Sequence, residues 1–151
     1  MDCVEKQKEK MDVTVKLSIL WMIVMFNMIY ADILAVVSAF ITPGVVEELM
    51  RGYSGTVQLT QELLLVSALF IEIPIIMIFL SRLLTYKINR WVNIIASVLT
   101  ILFVVGGIET DPFFLFLASI EVLVLLSIIW ISVKWKKFEL EPVSINSAIK
   151  T

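Results

Sequence analysis

Between Glu62 and Leu84 the chain is apolar almost without a break, interrupted only by Ser67, Glu72, Pro74, Ser81 and Arg82. As a helix such a run rises roughly 35 Å, enough to cross the ~30 Å hydrocarbon core of a bilayer. A carboxylic acid, Glu72, sits at its centre. An acid at that depth costs about 2.5–3.5 kcal/mol on the insertion scale, and a leucine would serve the span better, so the residue is a candidate for function. Pro74 removes a backbone N–H and crowds the carbonyl of Phe70, so a helix kink is expected there. Two residues turn a helix by about 200°, which sets Glu72 opposite Pro74. With proline on the convex side, Glu72 is expected on the concave side that wraps the other helices.

Similar runs occupy residues 17–40, 88–108 and 112–133, giving with 62–84 four spans. Thr42-Pro43-Gly44 breaks the first. Thr42 as N-cap, Pro43 at the first helical position, Glu47 and Glu48 in the first turns and Gly52 past the end then describe a short helix with an apolar face of Val45, Val46, Leu49 and Met50. Such a helix lies in the interface or caps the bundle mouth. Tyr53-Ser54-Gly55-Thr56 reads as a turn, and Thr56 or Thr60 as the cap of the second span. Only Thr85-Tyr86-Lys87 joins the second and third spans, which forces an antiparallel hairpin. Glu109-Thr110-Asp111-Pro112 is another tight turn, with Asp111 as N-cap.

The expected fold is therefore all-α: a polytopic membrane protein built as an antiparallel four-transmembrane-helix bundle, with a short extracytoplasmic helix between spans 1 and 2. Residues 1–16 form a polar cytoplasmic arm, residues 17–133 one transmembrane domain, and residues 134–151 a basic juxtamembrane segment and short cytoplasmic tail. The arm is too charged for the n-region of a cleaved signal peptide, so the first helix is expected to stay as an anchor, and the arm itself to be solvated and poorly ordered. Lys6, Lys8, Lys10 and Lys16, then Arg82, Lys87 and Arg90, then Lys134, Lys136, Lys137 and Lys150 share one side of this topology, and Arg51 alone takes the other. By the positive-inside rule both termini are cytoplasmic. Trp21, Trp91, Trp130 and Trp135 all fall at the cytoplasmic ends of spans, where amphipathic rings are expected at headgroup level.

Composition excludes several functions. Sixty per cent hydrophobic residues exceeds the ~45–50% usual for soluble domains. A net charge of -2 and the lack of a basic stripe outside the juxtamembrane segments argue against nucleic acid as a partner. There is no histidine, the commonest general base and metal ligand, and Cys3 is the sole cysteine, so neither a disulfide nor a CxxC redox site can form within the chain. No metal and no cofactor is expected.

Within the spans the acids are the informative residues. Measured from span centres, Asp32 lies roughly 5 Å to the outer side of the midplane, and Glu72 and Glu121 about 2 Å to the same side. No Lys, Arg or His lies in the apolar core to pair with them. Each must be protonated, face another across a hydrogen bond, or hold a cation or the cationic group of a ligand. Asn27, Tyr30, Asn93, Ser97 and Thr100 are the nearest polar candidates, and Asp32, Glu72, Glu121, Asn27 and Asn93 form the expected ligand- or proton-binding set. Asn89, Asn93, Ala96, Ser97, Thr100 and Gly107 recur at helical spacing, a stripe that reads first as a packing face for close helix approach and second as a ligand contact.

The run Leu17-Ser-Ile-Leu-Trp21 through Asn27 to Asp32, the segments Thr-Gln-Glu62-Leu-Leu-Leu and Ile-Glu72-Ile-Pro74, and Asn89-Arg90-Trp91-Val-Asn93 resemble an uncharacterised family of small four-helix prokaryotic integral membrane proteins. The resemblance runs from about Lys16 to Trp135. It implies four spans and a prokaryotic plasma (inner) membrane, and it carries no activity with it. The chain is similar in size to small four-helix multidrug exporters, but their signature of one acid, in the first span, is not matched by acids in three spans, so that likeness is architectural.

Two readings of function follow. In the first, the chain is a small transporter or ion- or solute-binding protein whose acids exchange a proton for a cation or small polar solute. Four helices enclose little room, so a conduction path is expected to need a homodimer. In the second, the chain is a structural or accessory membrane module in which the acids hydrogen-bond between helices. An intramembrane enzyme is disfavoured, because di-metal four-helix sites use Glu-x-x-His and the chain has no histidine.

Overall fold

A computed structural model describes the backbone of residues 3–107 and 111–135, and the side chains of these from residue 13 onward. The elements are α1 (Cys3–Ile41), α2 (Val45–Met50), β1 (Tyr53–Ser54), β2 (Val57–Gln58), α3 (Gln61–Leu83), α4 (Tyr86–Gly106) and α5 (Pro112–Lys134). Val13–Ile41 of α1, together with α3, α4 and α5, gives four helices long and apolar enough to cross a membrane. The turn residues Glu109 and Thr110, the basic and aromatic residues Lys136, Lys137 and Phe138, the tail to Thr151 and the side chains of Lys6, Lys8 and Lys10 lie outside the described residues.

The four long helices pack in a ring in which α1 neighbours α3, α3 neighbours α4, α4 neighbours α5 and α5 returns to α1. The chain reverses at each of its three connections, so every neighbouring pair is antiparallel, with α1 and α4 on one diagonal. One end of the ring holds Lys16, Arg82, Lys87, Arg90 and Lys134; the other holds α2 and the β1–β2 hairpin. These are the basic end and the loop end.

Several local expectations shift. The helix does not stop at the charged arm: α1 runs back to Cys3, because Glu, Lys, Gln and Met are good helix formers and no Gly or Pro interrupts them. The short helix begins at Val45, later than Thr42 and Pro43 imply, because Gly44 takes a left-handed φ of 88° that only glycine adopts without strain. The stretch from Tyr53 is a hairpin rather than a bare turn, with Tyr53 opposite Gln58 and Ser54 opposite Val57, and Gly55 at φ 59° makes the reversal. Thr60, not Thr56, caps α3 by accepting a hydrogen bond from the Leu63 N–H at 3.2 Å. Asp111 holds the N-cap position of α5, but its side chain makes no cap; it accepts from the Ser38 hydroxyl at 3.4 Å and so ties α5 to α1.

Burial is uneven along the bundle. In α1 the buried side chains are Leu17, Ser18, Trp21, Val24 and Met28, and none beyond; in α3 none is buried before Pro74. With Met77, Ser81, Leu125, Ile128 and Trp135 they concentrate the core toward the basic end. The reason is legible along α1, where large side chains at 17, 21, 24 and 28 give way on the same stripe to Ala31, Ala35 and Ser38. Small residues there leave the inter-helix space unfilled.

Two tryptophans depart from the headgroup belt. Trp91 and Trp130 are exposed, the latter with the Lys134 ammonium 3.9 Å above its ring. Trp21 and Trp135 are instead buried: Trp21 projects into the core, and Trp135 packs edge-on against Tyr86, whose hydroxyl donates to the Trp135 carbonyl at 2.6 Å.

Candidate functional site

The unfilled space at the loop end is a cavity of about 250 Å³ bounded by all four long helices. Ala31 of α1, Ser67 of α3, Gly107 after α4 and Ala118 of α5 supply short walls, while Ile71, Phe103 and Phe114 make it apolar. Phe103 is held in place by parallel stacking on Phe70, with ring centres 4.8 Å apart. Asp32 and Glu121 are the ionisable groups in its lining.

Glu121 is the more enclosed of the two, at 4% exposure. Asn27 positions it: its side-chain amide donates to the Leu117 carbonyl at 2.8 Å and to Glu121 Oε2 at 3.4 Å, linking α1 to α5 one turn below the cavity. The other carboxyl oxygen, Oε1, is buried and has no hydrogen-bond partner among the described residues. Buried polar atoms are nearly always paired; Ser97 Oγ and Ser132 Oγ share this lack among the described residues, but of the three only Glu121 belongs to the cavity wall. Asp32 sits at the exposed rim of the same space, so α1 and α5 each contribute one acid.

Glu72 does not join them. The face expected for it is corrected by burial: Pro74 is fully buried in the bundle, and Glu72, nearly half a turn away, is exposed on the outside of α3. The proline ring is an apolar surface and packs inward with Met77, and the acid is carried outward by the same rotation.

Asn93 is also elsewhere. It is fully buried toward the basic end, where its Oδ1 accepts from Trp21 Nε1 at 2.7 Å and from the Ser81 hydroxyl at 3.2 Å. Its amide donates to the Asn89 carbonyl at 2.8 Å and to Asn89 Oδ1 at 2.6 Å, and Asn89 in turn donates to the Ser81 carbonyl at 2.7 Å. Next to this network Ser18 donates to the Ile78 carbonyl at 2.9 Å and accepts from Arg82 Nε at 3.2 Å. The polar stripe of α4 is therefore a packing face: Asn89, Asn93, Ala96, Ser97 and Thr100 are all buried, and the first two knit α1, α3 and α4 together.

Ser67, Phe103 and Phe114 line the cavity without having stood out in the sequence. Their only signal is position, one face of each helix at the level where the α1 stripe turns small. Among the described residues no three Cys, Asp or Glu side chains gather as a donor set for a metal ion. What the arrangement can do is receive a small occupant with an apolar body and one or two hydrogen-bonding or cationic groups that meet Glu121 and Asp32.

No curated protein and no solved structure matches the chain. A family described as "Family of unknown function (DUF6326)" matches residues 1–142, nearly the whole sequence. This integral membrane protein, with its four membrane-compatible helices, belongs to that family.

Proposed function

We propose that the chain binds a small organic cation in the loop-end cavity and serves as a carrier or receptor for it. The observation that carries this reading is Glu121 Oε1, buried and unpartnered in the wall of a cavity that Asp32 also lines. A cation suits both acids, and aromatic and aliphatic walls suit a carbon body. At about 250 Å³ the space is just under the ~300 Å³ that begins the range for drug-sized ligands, so the occupant is small. Proton exchange at the same carboxyls is the simplest coupling for a carrier. The distribution of Lys and Arg supports cytoplasmic termini, and the cavity then faces the extracytoplasmic side; the prokaryotic plasma membrane rests on the family resemblance of the sequence.

The test is a thermal-shift titration of detergent-purified protein with methylammonium, tetramethylammonium and benzylamine. At one hundred times Kd a single-site ligand stabilises by about 2.7 kcal/mol, a readily measured shift. Glu121→Gln keeps the shape and the bond from Asn27 but removes the charge, and the response is expected to vanish. A response retained in Glu121→Gln, or absent from the parent protein for all three amines, would overturn the reading.

The Asn27 bonds favour a second reading, an accessory module in which Glu121 fastens α1 to α5. There Glu121→Gln is silent with or without amine, while Glu121→Leu loses about 0.6 kcal/mol or more of interhelical bonding.

A further inference from the structure

Glu72 is the middle residue of α3 and faces away from the bundle. Among the described residues nothing hydrogen-bonds or ion-pairs with it. Other polar side chains on outward faces answer their own needs: the hydroxyls of Ser119 and Ser127 bond back to the carbonyls of Leu115 and Leu123. A glutamate has no such route within a helix. At the expected midplane of a bilayer, lipid alone does not explain a glutamate on an outward face.

Its neighbours have a pattern. Leu65, Ala68, Glu72, Ile75 and Phe79 are all exposed and fall at alternating spacings of three and four residues. That is a heptad seam, with Glu72 as the polar residue at its centre and Ala68 one turn away as the small residue that lets two backbones approach. The stripe runs from Leu65 to Phe79, while the opposite face of the helix, with Ile71, Pro74 and Met77, is used inside the bundle.

We infer that α3 is the contact helix of a parallel homodimer, in which Glu72 meets Glu72 of a second copy across a two-fold axis along the membrane normal. A second copy fits this seam because a two-fold axis brings the same residue to the same depth, and a carboxyl group is its own complement. One proton shared between two carboxyls supplies the donor and the acceptor together. A lysine or arginine has donors only and offers its copy no acceptor, whereas a pair of carboxyl groups can supply both. A buried polar residue in an otherwise apolar seam also fixes register, because any axial slip leaves it facing hydrocarbon. The cavity is untouched by this contact, since Asp32 and Glu121 lie on other helices.

The test uses full-length protein reconstituted into phosphatidylcholine vesicles. On a Cys3→Ser background, Ala68→Cys, Ile75→Cys and Phe79→Cys are oxidised with copper phenanthroline, with Ile95→Cys on α4 and Leu126→Cys on α5 as controls from other outward faces. Disulfide-linked dimers are expected from the α3 positions and not from the controls. In a second arm, single-molecule photobleaching at increasing lipid dilution compares the parent with Glu72→Gln and Glu72→Leu. The amide is also self-complementary and keeps the dimer, whereas leucine weakens it by about 3- to 20-fold in dimer dissociation constant. Far-ultraviolet circular dichroism checks that each variant is folded. Monomers at every dilution, equal crosslinking at control positions, or a Glu72→Leu dimer as tight as the parent would each overturn the proposal.

Discussion

Replacing Asn93 with alanine tests whether the polar network fastens the basic end of the bundle. Asn93 is fully buried, and its side-chain oxygen accepts from two other helices, through Trp21 of α1 and Ser81 of α3. Truncation leaves the Ser81 hydroxyl free to rotate toward another acceptor, but the Trp21 N–H, on a fully buried ring, has nowhere to turn. Two interhelical bonds in a membrane protein are worth about 1–3 kcal/mol together, and the orphaned indole donor moves the cost toward the upper end of that range. Trp21→Phe removes the same donor from the other side and costs about 1–2 kcal/mol, part of it from the smaller ring. Because both changes break one bond, the double variant is less destabilised than the sum, with a coupling of about 0.6–1.7 kcal/mol. Unfolding by sodium dodecyl sulfate from mixed micelles, followed by far-ultraviolet circular dichroism, reads all four states of the cycle without depending on Trp21 fluorescence. An Asn93→Ala protein within about 0.5 kcal/mol of the parent, the range of an ordinary surface change, would refute the network as a fastening.

Thr60→Ala removes the cap of α3 and is expected to destabilise that helix start by about 1 kcal/mol, seen as faster hydrogen exchange at the Leu63 amide; unchanged exchange there would show that the hydroxyl does not cap. Gly44→Ala meets no atom within 4 Å, so its cost is conformational only, about 1–2 kcal/mol from the left-handed φ of 88°, and Gly106→Ala in the open part of α4 is the near-neutral comparison in the same unfolding assay. For orientation, Thr56→Cys on a Cys3→Ser background is expected to react with an impermeant maleimide added outside intact cells, and Ser147→Cys is not; the reverse pattern would invert the topology.

The spans and their antiparallel order were legible because a helix crossing hydrocarbon needs a long apolar run, and such runs leave little freedom in where they start and stop. Their faces were harder. A general habit of kinked helices sets Pro74 outward and Glu72 inward, yet the deciding factor is which side chains find neighbours, and Pro74 packs beside Met77 in the core. Polarity alone groups Asn93 with the acids, although its helix position places it about three turns from the cavity level, with Trp21 as partner. Glu121 and Asn27 do meet, and the sequence contains the cue: both lie at similar depth, on the first and last spans, which become neighbours when four antiparallel helices close into a ring. The cavity itself is a property of several small residues at one level, which no single span displays.

Local opening free energies follow buried contacts, so the two ends of this bundle differ in how readily they come apart. From Leu17 to Met28, and from Pro74 to Ser81, the helices are held by interlocked side chains; from Ala31 to Ile41, and from Gln61 to Ser67, they have little to release. Amide exchange in α1 is therefore expected to quicken after Met28 even though the helix is unbroken to Ile41. An occupant touching Asp32, Ser67 and Glu121 would add its contacts where the chain has fewest of its own. Binding would then slow exchange mainly in the second half of α1 and the first half of α3, and turn a protein that frays from one end into one that opens all at once.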